Sequence, residues 1–168
     1  TIHGIHITSN LQKRLQRKMC IKDKPNVTKL TELKRLFFSY NEQITVSGLE
    51  LTNNKKLEYF YLLGGKISTL DISQNTKLEQ FYLYKNLVEE IDFTKNPELI
   101  VLVVAENKLK SADLSQNGKL ETLNLYNNVL SELDLGYNSA LTFIVINDNR
   151  LTILNLRNGN NENFNYMD

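Results

Sequence analysis

Cysteine is almost missing from this chain. Cys20 stands alone among 168 residues, so no internal disulfide can form and the fold must be held by packing. Long apolar runs are missing as well. The ~18 consecutive apolar residues that a membrane-spanning helix needs do not occur, so no membrane insertion is expected, and the residues from Thr1 onward do not read as a cleavable apolar leader. A strong charge of one sign is also lacking, since 20 Lys/Arg face 19 Asp/Glu for a net charge of +1. That balance hides an asymmetry: residues 1–40 carry nine Lys/Arg against Asp23 and Glu32, whereas residues 41–168 carry eleven against seventeen acids.

The signatures of catalysis are equally scarce. No GxSxG, P-loop or GxGxxG is present, and Cys20 has no histidine partner within any regular frame. His3 and His6 stand three apart, a spacing that suits a metal. No Cys, Asp or Glu lies close enough to complete the site, and terminal decoration is the simpler reading. The basic cluster Lys13, Arg14, Arg17, Lys18, Lys22 and Lys24 lacks the interleaved aromatics of a nucleic-acid surface and reads as the wet face of a helix. The expectation is a chain that is not an enzyme, with no cofactor, no metal and no nucleic-acid partner.

What is present is a period. Leu57, Leu78, Leu99, Leu120 and Leu141 stand 21 residues apart without a gap. Counting from each leucine, the fourth position reads Phe60, Phe81, Leu102, Leu123 and Ile144, and the sixth Leu62, Leu83, Val104, Leu125 and Ile146. The ninth reads Gly65, Asn86, Asn107, Asn128 and Asn149, and the eleventh Ile67, Val88, Leu109, Leu130 and Leu151. The fourteenth is Leu70, Ile91, Ala112, Leu133 and Leu154, followed directly by Asp71, Asp92, Asp113, Asp134 and Asn155.

Alternation from the third to the sixth position predicts a short strand with the fourth and sixth side chains turned inward. The eleventh, fourteenth and sixteenth side chains close the coil. An asparagine where the chain leaves the strand tolerates unusual backbone angles, and its amide can bond main-chain groups of adjoining turns, so the column is expected to form a ladder. One coil buries about six aliphatic groups at roughly 1.5–3 kcal/mol each, against about 1–2 kcal/mol of backbone ordering per residue. A lone coil cannot stand. Stacking shares the core and places strands about 4.8 Å apart in a parallel sheet, a solenoid. The aspartate column offers one side chain per coil, too few for calcium, and is expected to make turn hydrogen bonds.

The ends depart from the frame. A looser coil of 24 residues opens the array, with Leu33, Leu36, Phe38 and Asn41 on the strand and Leu49, Leu51 and Asn54 on its return. Before it, Ser9 and Gln12 fit a capping box and Leu11, Leu15 and Met19 share a helical stripe, so a helix over residues 9–19 is expected within an N-terminal cap of residues 1–32. Residues 33–168 form the repeat domain. At the far end Phe164 and Met167 fit the first and fourth positions of another strand. The last sheet edge and part of the core are expected to be open, to meet either further chain or a partner, including a second copy.

The coils Leu57–Lys77, Leu78–Glu98, Leu99–Lys119 and Leu120–Ala140 resemble the 21-residue leucine-rich repeats of bacterial surface and secreted proteins, internalin-like adhesins among them. Residues 154–161 are similar to the closing coils of such proteins from gut bacteria. Many of those relatives carry cysteine at the sixth position, where this chain has Leu62, Leu83, Val104, Leu125 and Ile146. The resemblance implies an α/β leucine-rich-repeat solenoid with a parallel concave β-sheet, at the cell surface or outside the cell, binding protein or glycan.

If the fourth and sixth side chains point in, the third and fifth point out onto the concave sheet. The third positions are Arg35, Tyr59, Gln80, Val101, Thr122 and Phe143; the fifth are Phe37, Tyr61, Tyr82, Val103, Asn124 and Val145. Tyr84 and Tyr126 follow at the seventh, with Tyr40 alongside in the opening coil, so six of eight tyrosines lie here and Tyr166 would join them. Tyrosine joins a large apolar face to a hydroxyl at low entropic cost, which suits recognition, although aromatic and β-branched residues also simply favour strands. Five to six strands expose roughly 400–450 Å² in projection, against about 800 Å² per partner in a standard protein interface. A peptide, a glycan or a weakly held protein fits that area. The expected contact residues are Phe37, Tyr40, Tyr59, Tyr61, Tyr82, Tyr84, Val101, Val103, Tyr126, Phe143 and Val145.

Overall fold

In the computed structural model the residues described are 27–39 and 49–159, together with the backbone of two short strands at 5–6 and 166–167. The strands are β1 (Ile5–His6), β2 (Arg35–Ser39), β3 (Tyr59–Leu63), β4 (Gln80–Tyr84), β5 (Val101–Val103), β6 (Thr122–Asn124), β7 (Glu132–Asp134), β8 (Phe143–Val145), β9 (Ile153–Asn155) and β10 (Tyr166–Met167). One sheet runs β1-β2-β3-β4-β5-β6-β8-β10, and β7-β9 form a second on the return side.

Register follows the sequence period. Tyr59 pairs with Gln80, Gln80 with Val101, Val101 with Thr122 and Thr122 with Phe143, all in parallel. The longer opening coil keeps the frame, since Arg35 sits opposite Tyr59. Tyr166 sits opposite Phe143, so the incipient last strand continues the frame with two additional residues in its return. The five leucines at 57, 78, 99, 120 and 141 and the side chains at the fourth position are wholly buried. Phe60 and Phe81 stack at 5.2 Å, and Phe93 meets Phe81 edge-on at 6.2 Å, which fills the wider interior of those coils.

Two asparagine ladders bind coil to coil. In the expected one, at the ninth position, each amide spans two main-chain groups of the preceding coil. Asn128 donates from Nδ2 to the Val104 carbonyl at 2.7 Å and accepts the Leu109 N–H on Oδ1 at 2.9 Å. Asn149 does the same with Leu125 and Leu130. A second ladder stands at the nineteenth position: Asn96 Nδ2 donates to the carbonyls of Ile72 and Asn75, and Asn117 to those of Phe93 and Asn96. These amides satisfy carbonyls that no strand partner reaches. The chain enters each ninth position, Gly65 or asparagine, through a left-handed residue, Gly64, Lys85, Glu106, Asn127 or Asp148, at φ between 51° and 72°.

The aspartate column makes turns, as its spacing implied. Asp71, Asp92, Asp113 and Asp134 accept the N–H two residues on, at 2.8–3.0 Å. Those hydrogen bonds hold the Asp71 and Asp113 carboxyls below the usual range; for Asp92 the Thr94 hydroxyl contributes first and the backbone N–H second.

One expectation changes. Among the described residues every regular element is a strand, so the helical share of an α/β fold is not found there. The returns are short, and their carbonyls accept from the N–H three residues on and from the asparagine amide of the next coil, not from the N–H four residues on as in an α-helix. The capping helix expected over 9–19 lies outside the described residues; β1 runs antiparallel to β2, with Ile5 opposite Phe38, and covers that sheet edge. Leu154 belongs to a column that is buried or half-buried elsewhere, yet it is 41% exposed, because the coil behind it covers only one side.

Candidate functional site

The concave face is built by alternation. In β3 and β4 the side chains of Phe60, Leu62, Phe81 and Leu83 are buried, while Tyr59, Tyr61, Gln80, Tyr82 and Tyr84 are half-buried on the opposite face. Half-burial has a cause. Parallel registration puts like positions side by side at about 4.8 Å, so the rings pack on one another instead of standing in water. Phe37 and Tyr61 stack at 4.3 Å with planes 9° apart. Tyr82 then tilts against both Tyr59 at 5.6 Å and Tyr61 at 5.9 Å, and Tyr84 against Tyr61 at 6.1 Å. Gln80 Oε1 accepts the Tyr82 hydroxyl at 3.3 Å. Burial raises the Tyr59, Tyr82 and Tyr84 hydroxyls above the ordinary phenol value, with neighbouring tyrosines adding to the shift at Tyr59 and Tyr84.

The expected row therefore divides. Phe37, Tyr59, Tyr61, Tyr82 and Tyr84 form one aromatic cluster over β2 to β4. Val101 and Val145 are half-buried and Phe143 is 36% exposed, on strands beyond it. Tyr126 stands apart, its hydroxyl bonded to the Asp148 carboxylate, which raises it. Val103 is a correction: it is only 4% exposed and offers almost no contact surface. Its short side chain sits in register between Tyr82 and Asn124, and taller neighbours shade it. Tyr40 lies outside the described residues, as do His3 and Cys20. One apolar side chain extends the surface where the frame gave no cue: Leu63, half-buried at the end of β3, in register with Tyr84.

Acidic groups border this face. Glu58, Glu79 and Glu121 stand at the second position of their coils, and Glu106 and Asp148 at the eighth. Lys34 pairs with Glu58 at 2.7 Å, and Lys85 lies 3.7 Å from Glu106. Among the described residues no group of three or more His, Cys, Asp or Glu could hold a metal, and no helix is long and apolar enough to cross a membrane.

No family model matches the chain, and no curated protein matches it in sequence. Solved structures match it in fold. An internalin from Listeria monocytogenes gives a TM-score of 0.69 at 23% identity, covering 77% of this chain and 42% of its own. A leucine-rich-repeat protein from Leptospira interrogans gives 0.71 at 21%, covering 88% of this chain and 40% of its own. An internalin C2 from Listeria monocytogenes gives 0.67 at 18%, covering 74% and 57%. The chain thus spans between 40% and 57% of the length of these neighbours. Parallel strands held at a 21-residue register, two asparagine ladders and these likenesses make the fold that of a leucine-rich-repeat solenoid.

Proposed function

We propose that this chain is a recognition module, extracellular or at a bacterial cell surface, whose concave face contacts a protein, peptide or glycan. A cap over residues 1–32 and a repeat domain over 33–168 complete the reading. The observation that carries it is the aromatic cluster of Phe37, Tyr59, Tyr61, Tyr82 and Tyr84 on the face opposite the core. Packing of the solenoid does not require it, since the fourth and sixth positions already supply the core, and contiguous amphipathic rings are characteristic of recognition surfaces. The structural neighbours, internalins among them, are in keeping with a binding role.

The test is a screen of the chain against arrays of glycans and of host and bacterial surface proteins, repeated with Tyr61→Ala and Tyr82→Ala. The reading expects both variants to lose the bound partner while their circular dichroism spectra match the parent. Retained binding by the well-folded variants would overturn it.

A second reading, assembly between copies through the C-terminal edge, is favoured by Ile153, 62% exposed on β9, and by Leu154 beside it. Light scattering at rising concentration tests it. Self-association that Leu154→Asp abolishes is expected under assembly, and a monomer at all concentrations excludes it.

A further inference from the structure

The rings of the concave cluster pack against one another. The planes of Phe37 and Tyr61 are nearly parallel at 4.3 Å, and Tyr82 leans on Tyr59 and Tyr61, so the ring faces inside the patch are taken up by one another. Ring edges and hydroxyls are left to meet a partner. A sugar ring or a flat aromatic ligand stacks on a free ring face, which this packing provides poorly. A polypeptide needs no such face.

Charge narrows the partner further. From the coil at Leu57 onward the margins of the face carry five carboxylates, Glu58, Glu79, Glu106, Glu121 and Asp148, against Lys85. Lys34 occupies Glu58, Lys85 approaches Glu106, and Asp148 holds the Tyr126 hydroxyl. Glu79 and Glu121 are exposed and have no ion pair among the described residues. The opposing cations, Lys34 and Arg35, are confined to the β2 end. Glu79 and Glu121 sit on the same margin two coils apart, about 10 Å at the strand spacing, with half-buried Ile100 between them. In a polyproline II segment residues three apart face the same side and span about 9 Å, close to that distance, whereas in a β-strand they face opposite sides.

Resting on the concave-face reading above, we infer that the occupant is a basic peptide segment in the polyproline II conformation, running along the solenoid axis. Lys or Arg side chains three residues apart sit on Glu79 and Glu121, and the residues between them lie against Ile100, Tyr82 and Val101. The carboxylates set direction and on-rate, and the aromatic cluster supplies the contact area.

The probes are labelled synthetic peptides of about ten residues, long enough to cross the sheet at roughly 3.1 Å per residue. One carries Arg at every third position among Val, Tyr and Ser, a second carries Glu in place of Arg, and a third has the same Arg residues placed contiguously. Fluorescence polarisation with the full chain is expected to rank the spaced-Arg peptide at least about tenfold tighter than either other peptide, with affinity falling as salt rises. The double variant Glu79→Lys/Glu121→Lys is expected to lose about tenfold or more, and Glu132→Lys, on the return side, to change nothing. Equal binding of the Glu peptide, silent charge reversals, or no binding by any peptide overturns the inference. If Tyr61→Ala removes a partner found on the arrays while the reversals are silent, the inference falls and the concave-face reading stands. If neither set of variants alters binding, both fall.

Discussion

Phe37 and Tyr61 lie face to face across β2 and β3, ring centroids 4.3 Å apart and planes within 9° of parallel, on the side of the sheet away from the core. Such a pair stabilises the fold by roughly 0.5–1.5 kcal/mol beyond its burial. Tyr61→Ala is therefore expected to lower the urea midpoint modestly, by about 1–2 kcal/mol of stability, and Tyr61→Phe hardly at all. A loss above about 4 kcal/mol in Tyr61→Ala would show that the ring belongs to the core, contrary to the observed alternation.

The left-handed residue at the eighth position costs energy wherever it is not glycine. Lys85, at φ 52°, stands where the preceding coil has Gly64 at φ 72°. Lys85→Gly is expected to stabilise by about 0.5–1 kcal/mol, the relief of strain exceeding the added freedom of the unfolded chain. The lost contact with Glu106, between two solvent-exposed groups, weighs little. Gly64→Ala meets no atom within 4 Å and is nonetheless expected to destabilise by about 1 kcal/mol. Thermal or urea unfolding of the two variants should move in opposite directions; a shift of the same sign in both would refute strain as the cause.

Asn96 is wholly buried and gives both amide hydrogens to carbonyls of the coil before it, at 3.1 and 2.9 Å. Asn96→Asp removes both donors and puts a carboxylate beside two carbonyl oxygens, a change expected to cost about 3 kcal/mol or more. The exposed Asp92→Asn, which keeps an Oδ1 for the Thr94 N–H, should cost less than about 1 kcal/mol. Chemical denaturation of the pair distinguishes ladder from turn; equal losses would deny the ladder its role.

The C-terminal coil is the least covered of those described. Leu133 is 2% exposed and Leu154, one coil on, 41%. Leu133→Ala is expected to cost about 2–4 kcal/mol and Leu154→Ala less than about 1. In hydrogen exchange the amides of β9 should open before those of β4, since a solenoid frays from its weakest-stacked coil. Uniform exchange across coils would contradict that gradient.

At alkaline pH the aromatic cluster is expected to loosen. The Tyr59, Tyr82 and Tyr84 hydroxyls are raised by burial, so the folded state favours the neutral phenol over the phenolate. A folded value above the unfolded one gives stability that is complete below the unfolded value and disappears as pH climbs through the folded value. Stability should hold to about pH 10 and decline above it. Urea midpoints across that range, in the parent and in Tyr59→Phe/Tyr82→Phe/Tyr84→Phe, provide the measurement. An identical decline in the triple variant would assign the loss elsewhere.

Much of the fold was legible because a strand's side chains alternate regardless of what surrounds it. The leucines at 57, 78 and 99 predicted the register that pairs Tyr59 with Gln80 and Gln80 with Val101. Two features were not. No local pattern marks Ile5 and His6 as a strand, since their partners lie in β2, some thirty residues away. The returns at Glu132–Asp134 and Ile153–Asn155 pair as strands β7 and β9, whereas the chemically similar Glu-Ile-Asp at 90–92 forms none, and nothing in the repeat frame distinguishes them.

By itself the sequence determined which side chains face in and which face out, and that coils stack in register, because both follow from backbone geometry repeated at a constant period. Only the tertiary structure decided how much of each outward side chain water or a partner can reach. Val103 and Tyr61 occupy equivalent positions in their coils, yet one is shaded and the other belongs to an aromatic surface. Direction is set by a residue's own backbone, whereas access is set by the height of neighbours one coil away on either side.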